Sequence, residues 1–354
     1  MCPGRRGCPA GWRPVLCTTL VMLGPLRPPS EPCTAGCQTV LVGCYDRHLY
    51  CLDFSDGAIR WKVNLGGMIK CSALVLRETL LCGSYESNLV VRLRSEDGLL
   101  LWSRQVEGSV LASPVLDDAG VIVATLRGLL YKLSLNTGDV VWRLELGHPV
   151  FGTPLVCMDS VLVPSVNNSL YRVSREGGKC EGSVSTEAPV FSSPVSLSER
   201  RAVFGCQDGH LYLVSLDQTG LSLVRRTPVG GGVTGAPDTC LRHRLLVCAT
   251  TAGAVNLLSE DGDILHSHQL PGEVFSSPLI YKVSLLNDLI RTITLLTYRD
   301  TCWSAVEMIT STVWGSPAGK TTNRSRTKQL GAADTTHYNI TLLLQSLYNL
   351  ISQC

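Results

Sequence analysis

The chain has 354 residues, 45% hydrophobic and 17% charged, with a formal net charge of +2. Apolar material is ample for a large core, and Lys and Arg are scattered rather than gathered into a stripe, which argues against a nucleic-acid partner. No run is long and apolar enough to cross a bilayer as a helix, so no membrane partner is expected.

Residues 1–39 are rich in Pro, with Arg5 and Arg6 ahead of a short apolar run at 15–23 that Pro14 and Pro25 bracket. The segment reads as a disordered leader on a cytoplasmic protein; the alternative is a weak signal peptide on a secreted one.

From about Val40 the chain repeats itself. The phrase Val-Phe-Ser-Ser-Pro stands at 190–194 and again at 274–278, with weaker copies around Ala73, Pro114, Pro154 and Pro237. Aligning Ala73, Pro114, Pro154, Pro194, Pro237 and Pro278 gives a step of roughly 40 residues, the blade length of β-propellers. A hairpin phrase keeps the same step, starting at Gly43, Gly83, Ala124, Pro164, Gly205 and Ala249. In three units a turn glycine precedes a tryptophan by four residues: Gly57 and Trp61, Gly98 and Trp102, Gly138 and Trp142.

Each unit thus supplies four strands, and the expected fold class is an all-β propeller of about six blades over 40–281. In it Phe or Val before the Ser pair packs between blades, and the Ser pair faces the central channel. Pro sits on an inner edge strand that tolerates a missing N–H, and Trp lies on the outer strand. The first unit lacks an inner strand and the last has only one, 275–281, so these two are expected to pair and close the ring; a truncated ring is the competing reading. Residues 282–354 lose the pattern and read as a divergent, partly disordered tail ending in a short amphipathic helix.

The turn-and-tryptophan phrase resembles the docking repeat of pyrroloquinoline-quinone-type propellers, approximately Ala-x-Asp-x-x-Thr-Gly-x-x-x-Trp. Asp53, Gly57 and Trp61 match it with Asp56 in place of Thr, and Thr137, Gly138 and Trp142 match with Ser134 in place of Asp. Asp217, Thr219 and Gly220 keep the turn while Val224 takes the Trp position, as His266 does in the next unit. The phrases at 124–142, 151–154, 204–212 and 270–278 resemble the C-terminal propeller of the beta-alanine-activating enzyme family, relatives of acyl-CoA synthetases and nonribosomal adenylating enzymes. The resemblance implies a propeller that accompanies an ATP-dependent ligase. The phosphate loop and the carrier serine of that family do not occur here, so a non-catalytic scaffold acting through an unidentified protein partner is expected.

Other motifs are weighed against that reading. Gly230 to Gly235 spells Gly-x-Gly-x-x-Gly but leads into a strand phrase rather than a helix, so it reads as a connector. The phosphate-loop-like stretch at 315–322 has Trp314 where the first Gly belongs, and Pro317 interrupts it. His266 and His268 share a strand face with no third ligand in sequence, and His48 and His210 recur in turns. Asp46, Asp53, Asp56, Asp208 and Asp261 sit in repeat turns. Asn167, Asn323 and Asn339 begin glycosylation sequons that matter only on a secreted chain.

The 16 Cys follow the repeat, as Cys44 and Cys206 do, and are expected to be buried thiols. A quinone-dependent oxidoreductase, the rival class, would need a quinone pocket with a calcium site and a base, and the adjacent Cys pair often found there does not occur. No catalytic, cofactor-binding or metal residue is assigned.

Overall fold

The computed structural model describes the backbone at 19–23, 39–53, 56–118, 120–217, 220–286, 289–299, 302–309 and 324–328. It describes side chains across 39–280 except 54, 55, 119, 218, 219, 242 and 279. Six four-stranded antiparallel sheets make up the repeat region, each an up-and-down meander. Blade 1 comprises Thr19–Leu23, Thr39–Gly43, His48–Asp53 and Ile59–Asn64; blade 2, Leu74–Val75, Thr79–Gly83, Leu89–Arg94 and Leu100–Gln105. Blade 3 comprises Val115–Asp117, Gly120–Ala124, Leu129–Ser134 and Val140–Glu145; blade 4, Leu155–Cys157, Ser160–Ser165, Ser169–Ser174 and Cys180–Ser185. Blade 5 comprises Val195–Ser198, Arg201–Gly205, His210–Asp217 and Gly220–Pro228; blade 6, Asp238–Cys240, Leu245–Ala249, Ala254–Ser259 and Ile264–Gln269. From blade 3 onward the first strands of successive blades touch one another, which makes them the inner strands of a propeller.

The seam differs from the sequence expectation. Thr19–Leu23, from the leader, pairs with Thr39–Gly43 and fills the inner position that was expected to go to the late strand. Leu279–Leu286 pairs instead with Leu289–Arg299, and Cys302–Ile309 and Arg324–Lys328 complete a seventh sheet. Chain proximity accounts for this, because a hairpin closed at Leu286 and Leu289 costs less entropy than pairing strands from opposite ends of the chain. The expected C-terminal helix, the stretch at 315–322, Asn323, Asn339 and Thr219 lie outside the described residues.

The core lies between blades rather than within them. Successive strand residues face opposite sides, so in blade 2 Leu80 and Cys82 pack with Leu41, Leu49 and Trp61 of blade 1, whereas Leu81 packs with Val121 and Val123 of blade 3. Both faces of each blade are buried, and the second strands accordingly read as nearly continuous apolar runs.

Every proline of the phrase falls where the period places it. Pro114, Pro154, Pro194, Pro237 and Pro278 each stand immediately before the first residue of an inner strand, outside the ladder that their missing N–H would interrupt. The residue before each proline links blades. Ser113 Oγ accepts the N–H of Ser72 at 2.9 Å, Thr153 Oγ1 that of Ser113 at 3.1 Å, and Ser193 Oγ that of Thr153 at 2.8 Å. Ser277 Oγ accepts the N–H of Ala236 at 2.9 Å. Ala236 has no hydroxyl, so the rung from Ser193 is missing.

The outer edge carries a second joint. Trp61, Trp102 and Trp142 lie on outer strands, and their indole N–H groups donate to the carbonyls of Ser95, Leu135 and Arg175 in the next blade at 3.1, 2.9 and 2.9 Å. Each ring lies over the turn glycine three residues beyond that carbonyl: Gly98, Gly138 and Gly178. Gly57, in the first blade, keeps the same left-handed turn at φ 74°. Removing each indole from water contributes on the order of 2–3 kcal/mol.

In all six blades the outer strand carries one bulged residue just before the Trp position, where the pairing slips. This bulge corrects one assignment. In blade 5 the hairpin runs to the pair Asp217 and Gly220, the bulged residue is Val224, and Arg225 occupies the Trp position opposite Leu213. Arg225 keeps the docking role: its Nη1 donates to Asp261 O at 3.0 Å and its Nη2 pairs with Asp263 at 2.7 Å. His266 holds the position in blade 6, as expected, and is buried.

Two consequences are measurable by equilibrium unfolding. Gly138→Ala strains a φ of 72° and sets a Cβ 2.6 Å from Trp102, so it should cost about 2–3 kcal/mol. Gly147→Ala, at φ 78° with nothing within 4 Å, should cost only about 1 kcal/mol; equal losses would dissociate the glycine from Trp docking. Ala236→Ser should add the missing rung and stabilise by about 0.5–1 kcal/mol, whereas Ser193→Ala should destabilise by about 1 kcal/mol.

Candidate functional site

A meander of four strands puts its turns at two ends. The turns after the inner and the third strands lie at one end; the central hairpins and the blade-to-blade connectors lie at the other.

At the first end an open cleft of about 850 Å³ is lined by Asp118, Lys132, Met158, Asp159, Arg175 and Glu199, among others. Its cations are already engaged. Lys132 Nζ pairs with the fully buried Asp117 at 2.6 Å, and Arg175 pairs with Asp117 and with Asp118. Burial pulls the Arg175 guanidinium down, but the two carboxylates outweigh it and hold its pKa above the ordinary value. These charges join blades 3 and 4 and leave the cleft without a cation committed to a ligand.

At the hairpin end, repeated polar residues are used within their own turns. In blade 1 Asp46 accepts the His48 N–H at 2.9 Å and the Tyr50 hydroxyl at 2.5 Å. In blade 5 Asp208 accepts the His210 N–H at 3.0 Å and the Tyr212 hydroxyl at 2.5 Å. In blade 4 the same positions hold Asn167 and Tyr171, with the direction reversed: the Asn167 amide donates to the Tyr171 hydroxyl. This Asp-x-His-x-Tyr unit was legible only in part, since the sequence placed the histidines in turns without linking them to the tyrosines. Asp53 pairs with Arg60, Asp56 accepts the Ala58 N–H at 2.9 Å, and Asp261 pairs with Arg201 at 3.0 Å. The expected carboxylates are thus spread over separate turns and blades rather than brought together.

Of the two residues the connector phrase offered for packing between blades, the structure buries the Val and turns the Phe out. The first residue of the phrase is the blade-packing one: Ile69, Val110, Val150, Val190, Val233 and Val274 are all buried. The second residue points out, with Phe151 36% and Phe275 57% exposed, because the alternation that buries the valine turns its neighbour away. Phe151 and Phe191 meet edge to face at 5.2 Å between centroids. At the same phrase position between blades 1 and 2, Lys70 places its ammonium 3.6 Å from the Tyr85 ring centroid and 5.2 Å from that of Tyr45. The hairpin end therefore presents aromatic rings and one cation held by two tyrosines.

Among the described residues, no group of three or more His, Cys, Asp or Glu is placed to hold a metal ion. Gly230 to Gly235 forms the connector between blades 5 and 6, as expected, and His266 is a packing residue whose pKa is lowered by burial and by His268. Cys44 and Cys206 are buried, as are Ser84, Thr125, Ser165 and Thr250 at the same repeat position. Nine described cysteines are free thiols, and no described helix is long and apolar enough to cross a membrane.

Burial raises the pKa of the Asp46 and Asp208 carboxyls, but the Tyr, Cys and His groups bonded to them prevail and hold both below the usual carboxylate value. Groups depressed on folding stabilise above their unfolded pKa of about 4 and lose that contribution as pH falls through the folded value. Asp46→Asn with Asp208→Asn should therefore flatten the fall in melting temperature below about pH 4; an unchanged slope in the double variant would count against these turns as acid-sensitive joints.

Three comparisons place the chain. Residues 27–287 match the family model described as the beta-propeller of the beta-alanine-activating enzyme. The Beta-alanine-activating enzyme of Drosophila melanogaster is 33% identical over 266 residues, covering 68% of this chain and 26% of that protein, so the chain spans about a quarter of this relative's length. Among solved structures, BamB from Moraxella catarrhalis superposes with a TM-score of 0.58 at 19% identity, covering 73% of this chain and 78% of that one. The computationally designed Ika8 protein gives 0.57 at 13% identity, covering 76% and 77%. The two structures speak to fold alone. With the family match over most of its length, the chain belongs to the beta-propeller family of the beta-alanine-activating enzyme.

Proposed function

We propose that this propeller is a non-catalytic interaction module of a beta-alanine-activating system, working in the cytoplasm through contacts with a protein partner. The observation that carries the reading is how the repeat's polar residues are used. The Ser and Thr of the phrase bridge blades, and the Asp, His and Tyr of the hairpins bond one another. Among what the hairpin end presents are the rings of Phe151, Phe191 and Phe275, a surface suited to protein contact. Free thiols at all nine described cysteines support a reducing compartment.

Activation of an amino acid through its adenylate exchanges pyrophosphate with ATP. The purified chain should give only background ATP–pyrophosphate exchange with beta-alanine, and should bind the adenylating and carrier region of a beta-alanine-activating enzyme in a calorimetric titration. Phe151→Ala with Phe275→Ala should weaken that binding roughly tenfold or more while leaving the melting temperature within a few degrees. Exchange above background by this chain alone would refute the non-catalytic reading.

A further inference from the structure

Blade 2 holds a pair of thiols that the repeat does not ask for. Cys71 ends the connector from blade 1, and Cys82 stands on the second strand, Thr79–Gly83. Their sulfurs are 3.8 Å apart, in van der Waals contact, and both residues are buried at 3% and 0% exposure. At the position of Cys71 other blades carry Ala112, Gly152, Ser192 and Gly235, and at the position of Cys82 they carry Val123, Val163, Phe204 and Cys248. Packing is thus met by small residues at one site and apolar ones at the other, and among the described residues only here do two thiols face each other across the pair. The nearest parallel is blade 5, where Ser192 Oγ accepts the Gly205 N–H at 3.2 Å just as Cys71 Sγ accepts the Gly83 N–H at 3.3 Å.

We propose that Cys71 and Cys82 are a modification site, a dithiol that a hydroperoxide converts to an intrablade disulfide. Cys71 is the attacking sulfur, because the Gly83 N–H donates to it at 3.3 Å and favours the thiolate, whereas Cys82 lies deeper. The hydrogen bond with Cys82 draws the Cys71 thiol down against its burial, and the same bond and burial push Cys82 up. The Cys71 thiolate attacks one peroxide oxygen, the O–O bond breaks, and hydroxide leaves and takes a proton as water. The resulting Cys71 sulfenic acid is attacked by Cys82 sulfur; the S–O bond breaks, a second water leaves with the Cys82 proton, and the S–S bond forms. Two thiols and one hydrogen peroxide give one disulfide and two waters. Closing 3.8 Å to about 2.05 Å asks for side-chain rotation and a small shift of the connector. Access comes from local opening of the joint between blades 1 and 2.

Trypsin separates the two sites, because cleavage after Lys70, Arg77 and Arg92 leaves Cys71 in residues 71–77 and Cys82 in 78–92. The folded full chain is treated with hydrogen peroxide, its remaining thiols are alkylated in denaturant, and the digest is weighed without reductant. The expected product is the 71–77 and 78–92 pair, two hydrogens lighter than the sum of the free peptides, lost on reduction. The oxidised chain should melt higher by about 5 °C. In Cys82→Ser, dimedone should trap a sulfenic acid on Cys71. In Cys71→Ser, which installs the residue blade 5 uses there, peptide 78–92 should be recovered as a free-thiol adduct. Recovery of both wild-type peptides as alkylated thiols after peroxide, or linkage of Cys71 to a cysteine other than Cys82, would overturn the proposal.

Discussion

The structure depends on one contact repeated at the outer edge of the propeller: a backbone carbonyl, three residues before a left-handed turn glycine, that receives a donor from the preceding blade. Ser95, Leu135 and Arg175 supply that carbonyl to Trp61, Trp102 and Trp142. A second donor converges on it from the third strand. Arg92 Nη1 reaches Leu135 O at 2.7 Å and Lys132 Nζ reaches Arg175 O at 3.2 Å. An orphaned carbonyl at a blade boundary would be costly, and each turn sits where only a glycine admits the indole above it.

Seen this way, loss of the tryptophan in later blades is substitution rather than decay. Blade 4 has Gly182 at the Trp position, yet Arg172 from its third strand still donates to Asp217 O at 2.8 Å, and the outer strands of blades 4 and 5 come into contact over the space left. Blade 5 uses the Arg225 guanidinium against the next turn, and Thr227 Oγ1 donates to Gly262 O at 3.0 Å beside it. Inside, the hydroxyl rungs run around the inner edge in the same sense. Two rows of joints therefore flank the apolar layers between blades, and most repeated chemistry is consumed in them. The repeat is therefore architectural, and the residues left to meet a partner are the connector residues that turn outward.

Much of this was legible in the sequence because the period is written in residues with narrow conformational tolerance. Proline cannot sit within a ladder, so its recurrence marked the inner strands, and glycine four residues before tryptophan marked the turns. The misses have equally local causes. Sequence spacing cannot see a bulge, so Val224 was aligned where Arg225 stands. It cannot tell which of two adjacent apolar residues a connector buries, so Phe or Val was expected between blades, and Val274 rather than Phe275 is the one found there. It cannot rank a local hairpin against a distant closure, so the late strand was paired with the first blade. The proximity of Cys71 and Cys82 arises from pairing across the blade and has no signature in spacing.

Two side chains from one blade thus act jointly on a single carbonyl of the next. A double-mutant cycle at Leu135 tests it most directly, with Arg92→Met, Trp102→Phe and the pair compared by equilibrium unfolding. A coupling energy of about 0.5–1 kcal/mol or more is expected, because either donor alone keeps the carbonyl satisfied and only the double variant strands it. Strict additivity of the two losses would contradict it.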